Sequence, residues 1–245
     1  MAKDLFSKQA AEYARSRPGY PHEFIEYIIS FAHDRDIAWD CATGNGQAAQ
    51  LIATQFDQVF ATDLSAEQLK HAKPHPKVIY SQSPAEHTGF ADNSFDLVTV
   101  AQAYHWFDQP AFCREAKRVC RQGALVAVWC YSMCIARDEA VDELLQSFYL
   151  ETGPYWDEAR KQIDNEYRDV YFDFKEIPAE KKFFIHCQWT IDALEGYLNS
   201  WSATQKYIAV HGHNPIDAFI EQLRPFWKTE TIVFEFPLFL RMGRV

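Results

Sequence analysis

The chain lacks several features that define whole classes of protein. Its six cysteines form no C-x-x-C pair, which argues against a disulfide framework and indicates reduced thiols. Its longest apolar run, residues 124–131, is far too short to span a bilayer, and its first residues show no apolar segment followed by a small-residue cleavage site. We therefore expect a cytoplasmic protein without a membrane partner.

Positive charge is also scarce. The 24 lysines and arginines are outnumbered by 34 aspartates and glutamates, so that the formal net charge is −10. A nucleic-acid-binding protein needs a basic face to neutralise phosphates, and we therefore expect no nucleic-acid partner. His211 and His213 have no nearby third ligand in the sequence, so we expect no metal site.

The stretch that organises the chain is residues 37–49. An apolar run ends in Asp40, a turn of small residues contains Gly44 and Gly46, and a helix-prone segment follows. This order is typical of the strand, tight turn and helix at the front edge of a doubly wound α/β domain. The next apolar run ends in Asp63, a carboxylate placed to accept hydrogen bonds from a ribose diol. The pattern predicts a cofactor that contains a nucleoside.

Two cofactor classes fit the glycine turn. Gly44-x-Gly46-x-x-Ala49 matches the dinucleotide pattern, so an NAD(P)-dependent oxidoreductase is one hypothesis. Asp40 argues against it, because a carboxylate beside this turn would repel a pyrophosphate. The ammonium and sulfonium groups of S-adenosylmethionine would instead be attracted to that carboxylate. Asp40 therefore favours S-adenosylmethionine.

Three segments resemble known proteins. The turn Asp40-Cys41-Ala42-Thr43-Gly44-Asn45-Gly46 resembles the first motif, D-x-G-x-G-x-G, of class I S-adenosylmethionine-dependent methyltransferases of type 11, with Ala42 replacing the first glycine. Residues 101–107 resemble the family's fourth motif, V-x-x-A-x-H-W-F. The segment Tyr13-x-x-x-Arg17-Pro18-x-Tyr20-Pro21 is similar to that of trans-aconitate methyltransferase-like members.

The resemblance implies a Rossmann-like α/β fold, with a doubly wound, mostly parallel, seven-stranded sheet, an antiparallel end and a helical cap. We divide the chain into an N-terminal helical arm (1–36), a cofactor-binding core (37–133), and cap helices with the last strands (134–245). Ser65 and Gln68 are spaced to cap a helix. We expect another helix from Pro110 to about residues 121–123, a helical segment at 158–170, and a bulge or edge position at Pro237.

The resemblance also implies the cofactor contacts. Asp40 would meet the methionine ammonium, Asp63 the ribose and Gln102 the floor near the methyl group, while the loop at Ala85 would border the adenine. The full cofactor-binding set is Tyr13, Asp40, Ala42, Gly44, Gly46, Asp63, Leu64, Ala85 and Gln102.

The acceptor is expected to be a small molecule, and its chemistry stays open. If it is a carboxylate, no base is needed and Arg17 would clamp the acid with its guanidinium fork. If it is a hydroxyl, a phenol or an acidic carbon, His105 is the candidate base, although a packed core role is an equal alternative. The predicted substrate-binding residues are Arg17, Tyr20, His105, Trp106, Trp189 and Trp201. A cofactor-binding partner protein without turnover is a further hypothesis.

Overall fold

The computed structural model describes residues 18–245. Its helices are α1 (His22–Ile29), α2 (Gln47–Ile52), α3 (Ala66–Lys70), α4 (Gln109–Val119), α5 (Glu139–Glu151), α6 (Lys161–Asp164), α7 (Ile191–Asn199), α8 (Ser202–His211) and α9 (Pro215–Leu223). Its strands are β1 (Ile37–Cys41), β2 (Gln58–Asp63), β3 (Val78–Gln82), β4 (Phe95–Ala101), β5 (Cys120–Tyr131), β6 (Ile135–Ala136), β7 (Lys175–Ile177), β8 (Phe183–Trp189) and β9 (Ile232–Arg244).

The strands form one mixed sheet. Strands β3, β2, β1, β4 and β5 are neighbours in that order and run parallel, and β9 follows β5 in the antiparallel direction. Strands β6, β7 and β8 all pair with β9. The α/β architecture and the antiparallel end are confirmed, and the short strands β6 and β7 are additions to the seven expected.

Both faces of the sheet are covered, which explains why β4 is almost entirely buried and why β5 is apolar from residue 124 onwards. One core includes side chains of α1, α2, α5, α7 and α9, among them Phe24, and also Trp201, which lies between α7 and α8. The other core lies on the opposite face and includes Phe112 of α4 and Tyr167. This arrangement leaves the carboxyl ends of β1, β4 and β5 as the edge where a ligand can bind.

Three local expectations need correction. Helix α4 ends at Val119, and residues 121–123 lie in β5, because Cys120 already pairs with Phe95 across a register shift. The segment 158–170 is not one helix, since a 3-10 helix (Glu158–Arg160) and the short helix α6 are followed by turns at 165–169. Pro237 lies in the interior strand β9, not at an edge, but its position falls between the residues that pair with β6 and those that pair with β5.

Side chains of the residues that precede α3 and α7 cap these two helices. The Ser65 hydroxyl oxygen accepts a hydrogen bond from the Gln68 backbone N–H (3.2 Å), as predicted, at the start of α3. Thr190 caps α7 in the same way through the Ala193 N–H. No helix among residues 18–245 is both long and apolar enough to cross a membrane.

Candidate active site

The turn between β1 and α2 adopts an unusual backbone. Ala42, Gly44 and Gly46 all have a positive φ, at 54°, 58° and 84°. This backbone closes the turn and holds it to β2, because the N–H groups of Thr43 and Gly46 donate to the carbonyl oxygens of Thr62 and Thr43, both at 2.9 Å. Gly46 has a second constraint, because a Cβ there would overlap the phenol of Tyr80, whose Cε1 would lie 2.9 Å away.

An open cleft of about 430 Å³ lies above this turn. The residues that line it come from the turn, the start of α2 and the ends of β4 and β5, together with the segment before α1: Pro18, Tyr20, Ala42, Thr43, Gly44, Asn45, Gln47, Ala48, Ala101, Gln102 and Tyr131. The structure therefore brings together four predicted site residues, namely Ala42, Gly44, Gln102 and Tyr20. A concave site at the carboxyl ends of parallel strands is where doubly wound proteins bind their ligands.

Gln102 is held rigidly at one end of the cleft. Its side-chain amide donates to the Tyr131 carbonyl oxygen (3.0 Å) and accepts from the Tyr131 N–H (2.7 Å). Its backbone is left-handed, with a φ of 56°. The two bonds extend the contact between β4 and β5 and fix the floor of the cleft.

Asp40 lies behind the turn and not in the cleft. It is 0% exposed, and its two carboxylate oxygens accept hydrogen bonds from the hydroxyls of Thr43 (2.5 Å) and Thr99 (2.6 Å). Burial raises the pKa of Asp40 to about 6, against the opposing effect of these hydroxyls. Thr43, its hydrogen-bond partner, lines the cleft whereas Asp40 does not, and the role of Asp40 towards an ammonium stays a prediction.

Asp63 is fixed at the end of β2. Its carboxylate oxygens accept hydrogen bonds from the backbone N–H groups of Gly44 and Ser65, both at 2.8 Å. Asp63 therefore connects the second strand to the glycine turn. Leu64 beside it is partly exposed and Ala85 is buried. None of these three lines the cleft as bounded above, and their assignment to the cofactor stays a prediction.

His105 is buried in a 3-10 turn (Tyr104–Trp106) after β4. Its Nδ1 lies 2.9 Å from the hydroxyl oxygen of Tyr167, a completely buried residue. Burial, assisted by the positive charge of Arg160, lowers the pKa of His105 to about 3, so the ring is neutral at physiological pH.

The Tyr167 phenol is also neutral, because burial raises its pKa well above the usual value. The contact therefore joins two neutral groups, either of which can be the donor. A neutral imidazole with so low a pKa is a weak base.

Tyr167 and Arg160 were missed from the sequence. Both lie in the charged segment 158–170, which carries no motif, and Glu166 and Tyr167 adopt a left-handed backbone that no glycine signals. Only the packing of this segment over the ends of β4 and β5 brings them to His105.

The predicted tryptophan walls differ in their surroundings. The Trp106 ring lies 4.7 Å from the His105 ring between centroids. Trp201 is 1% exposed and packs against Trp156, and Trp189 packs against Phe234. Trp201 is thus part of the core and the partly buried Trp189 packs against the same core, and neither lines the cleft as bounded above. Tyr13 and Arg17 lie outside the described residues.

Comparisons with known proteins agree with this geometry. Residues 39–128 match a family model described as a methyltransferase domain. A Dictyostelium discoideum protein that carries the name of a methyltransferase is 31% identical over 98% of this chain and 95% of its own length. A structure assigned as a type II methyltransferase from Anaeromyxobacter dehalogenans is 34% identical, with a TM-score of 0.85 over 93% of this chain and 97% of that chain.

A more distant structure shares the fold. Phosphoethanolamine N-methyltransferase 2 of Haemonchus contortus, solved with S-adenosylhomocysteine, is 17% identical, with a TM-score of 0.51 over 98% of this chain and 58% of that chain. The chain belongs to the class I S-adenosylmethionine-dependent methyltransferases. It is an enzyme whose cofactor is S-adenosylmethionine, and the nicotinamide hypothesis is wrong.

Proposed function

We propose that this methyltransferase transfers the methyl group to a carboxylate oxygen of a small organic acid. The observation that carries the proposal is the state of His105. Its ring is buried against Tyr167 and its pKa is lowered to about 3, so the imidazole is too weak a base to take the proton of a hydroxyl or a phenol. A hydroxyl or phenol acceptor needs its proton removed, whereas a carboxylate is already an anion above pH 5.

The cofactor would be held by the glycine turn and its supports. The methionine carboxylate would lie over the turn at residues 42–46, where Gly44 lets a ligand approach the main chain closely. The ammonium would contact Thr43, whose hydroxyl connects it to the negative charge of Asp40. Asp63 would accept hydrogen bonds from the ribose, because its carboxylate is fixed at the end of β2 beside the glycine turn.

The protein's part in catalysis is alignment and exclusion of water. When bound, S-adenosylmethionine supplies a methyl group on a positively charged sulfur, which is already an activated leaving group. Gln102, fixed by Tyr131, would form the floor near the methyl group, and Tyr20 would border the acceptor. Holding the acceptor oxygen in line with the methyl carbon converts the encounter into an effectively intramolecular reaction. The trans-aconitate methyltransferase-like subgroup, suggested by the segment at Tyr13, fits this acceptor class.

The acceptor is tested with matched compounds. Purified enzyme and S-adenosylmethionine would be incubated with benzoate, phenol and benzyl alcohol, and with polycarboxylic acids including trans-aconitate. We expect methyl esters from acids only, with a kcat that is constant between pH 6 and 9. Methylation of phenol or benzyl alcohol, with a rate that rises with pH near 7 and loses this rise in His105→Asn, would overturn the proposal.

The cofactor contacts are tested separately by calorimetric titration with S-adenosylhomocysteine. We expect micromolar binding, about −8 kcal/mol, and at least tenfold weaker binding by Asp63→Ala. Asp57→Ala, an exposed carboxylate just before β2, is the matched control and should bind normally. Equal binding by the two variants would remove Asp63 from the site.

A further inference from the structure

A guanidinium is enclosed by aromatic rings in the cap. The Arg160 side chain is 14% exposed, and its Cζ lies 4.0 Å from the centroid of the Trp156 ring and 5.5 Å from that of Tyr149. Its Nε donates a hydrogen bond to the Tyr149 hydroxyl (3.1 Å), which in turn donates to Asp164 (2.7 Å). The Nε edge of the guanidinium is thus occupied and held in place.

The other edge is open. Within residues 18–245, the two terminal nitrogens of Arg160 have no hydrogen-bond or ion-pair partner. The indole Nε1 of Trp156 is also buried without a hydrogen-bond partner in the same part of the chain. Leaving polar donors largely buried and unpaired is costly, and stacking on aromatic faces offsets only part of that cost. Parallel N–H donors in a rigid fork are the usual partners of a carboxylate or phosphate.

The open edge of the Arg160 guanidinium lies at the same end of the sheet as His105. The turn that carries Arg160 (Glu158–Arg160) packs against the Tyr104–Trp106 turn that carries His105. The charge of Arg160 acts on His105 and also on Cys130, next to the cleft residue Tyr131 at the end of β5. Arg160 therefore lies on the turn that packs beside His105, one of the predicted substrate-binding residues.

We propose that Arg160, with Trp156 and Tyr149, binds a second anionic group of the acceptor, so that the substrate is a dianion such as a dicarboxylate. This inference rests on the proposed function. The carboxylate paired with the guanidinium loses nucleophilicity, so the methyl group goes to the other one. In that step a carbon–oxygen bond forms as the carbon–sulfur bond breaks, giving a monomethyl ester and S-adenosylhomocysteine.

The test compares hexanoate with adipate, two acids of equal carbon number that differ in one carboxylate. Calorimetric titration of each acid into the enzyme saturated with S-adenosylhomocysteine measures binding, and release of S-adenosylhomocysteine from S-adenosylmethionine measures kcat and KM. The variants are Arg160→Gln, Arg160→Lys and the exposed control Arg224→Gln. A thermal melt of each variant establishes that it is folded.

We expect adipate to bind the wild type at least tenfold more tightly than hexanoate. Arg160→Gln should abolish that preference through KM, Arg160→Lys should keep part of it, and Arg224→Gln should keep all of it. A wild type that binds the two acids equally, or an Arg160→Gln variant that retains the preference, overturns the inference even when acids are methylated. Preferential adipate binding without ester formation from any acid would instead refute the proposed function and leave the anion site standing.

Discussion

The affinity for S-adenosylhomocysteine is expected to depend on pH through Asp40. Burial raises the pKa of Asp40 to about 6, so in the free enzyme the carboxyl is mostly protonated at pH 5 and ionised at pH 7.5. The ammonium of the ligand, placed at Thr43, favours the ionised form. Ligand binding at pH 5 must therefore expel a proton, and the affinity rises with pH through about 6.

The magnitude follows from the two protonation states. With a pKa of about 6, roughly ten of eleven molecules carry the proton at pH 5, so that binding is about tenfold weaker there than at pH 7.5, or about 1.4 kcal/mol. His105 does not contribute, because its pKa of about 3 leaves it neutral throughout this range. The charge of Asp63 also raises the pKa of Asp40. Because Asp63 is unchanged in the variants compared, it does not account for a difference between them.

The assay is calorimetric titration at pH 5, 6 and 7.5 in buffers of different ionisation enthalpy, which counts the protons released. We expect nearly one proton per ligand at pH 5 and almost none at pH 7.5. Asp40→Asn, which cannot ionise, should show neither the proton release nor the change in affinity. Wild-type affinities within twofold across this range, or the same pH dependence in Asp40→Asn, would refute the reasoning.

Three further predictions concern individual side chains. Gly46→Ala should lower the free energy of unfolding by about 1–3 kcal/mol and weaken cofactor binding, because the φ of Gly46 is 84° and the added methyl group overlaps the Tyr80 phenol. Ala42→Gly should be tolerated, and thermal melts of the two variants make the comparison. Burial raises the pKa of Glu115, but hydrogen bonds, first among them those from Arg118, lower it to about 2. The ionised Glu115 should therefore stabilise the fold above pH 4.5, and this stabilisation should be lost as the pH falls towards 2. Urea titrations of Glu115→Gln should lack this part of the pH dependence of the free energy of unfolding. Tyr167→Phe should cost about 1–2 kcal/mol, and an unchanged melting temperature would contradict its bond to the buried imidazole.

Short-range patterns made the elements around the glycine turn predictable. The strand that ends in Asp40, the turn with Gly44 and Gly46, and the cap at Ser65 each depend on residues that are close in sequence. Turn chemistry and side-chain periodicity act over that range, and so the order of elements and the edge of the sheet that forms the cleft could be read directly.

Local signals were insufficient where pairing between distant segments dominates. Residues 121–123 have the basic side chain and glycine of a helix end, yet they lie in β5, because Cys120 pairs with Phe95. Pro237 is interior for a similar reason, since β9 pairs with β8 at this position and, on its other side, with β6 before it and β5 after it. In each case the hydrogen bonds of the sheet outweigh the local preference.

The sequence by itself determined the class of the protein, its sheet and the position of its glycine turn. Only the tertiary structure decided what His105 can do, because its partner Tyr167 is 62 residues away in a segment without a motif. The same holds for Arg160, and for Asp40, whose carboxylate is turned behind the glycine turn by Thr99, 59 residues further along the chain. Proton positions and exposure depend on which distant groups surround a side chain, and that is set by packing and not by neighbouring residues.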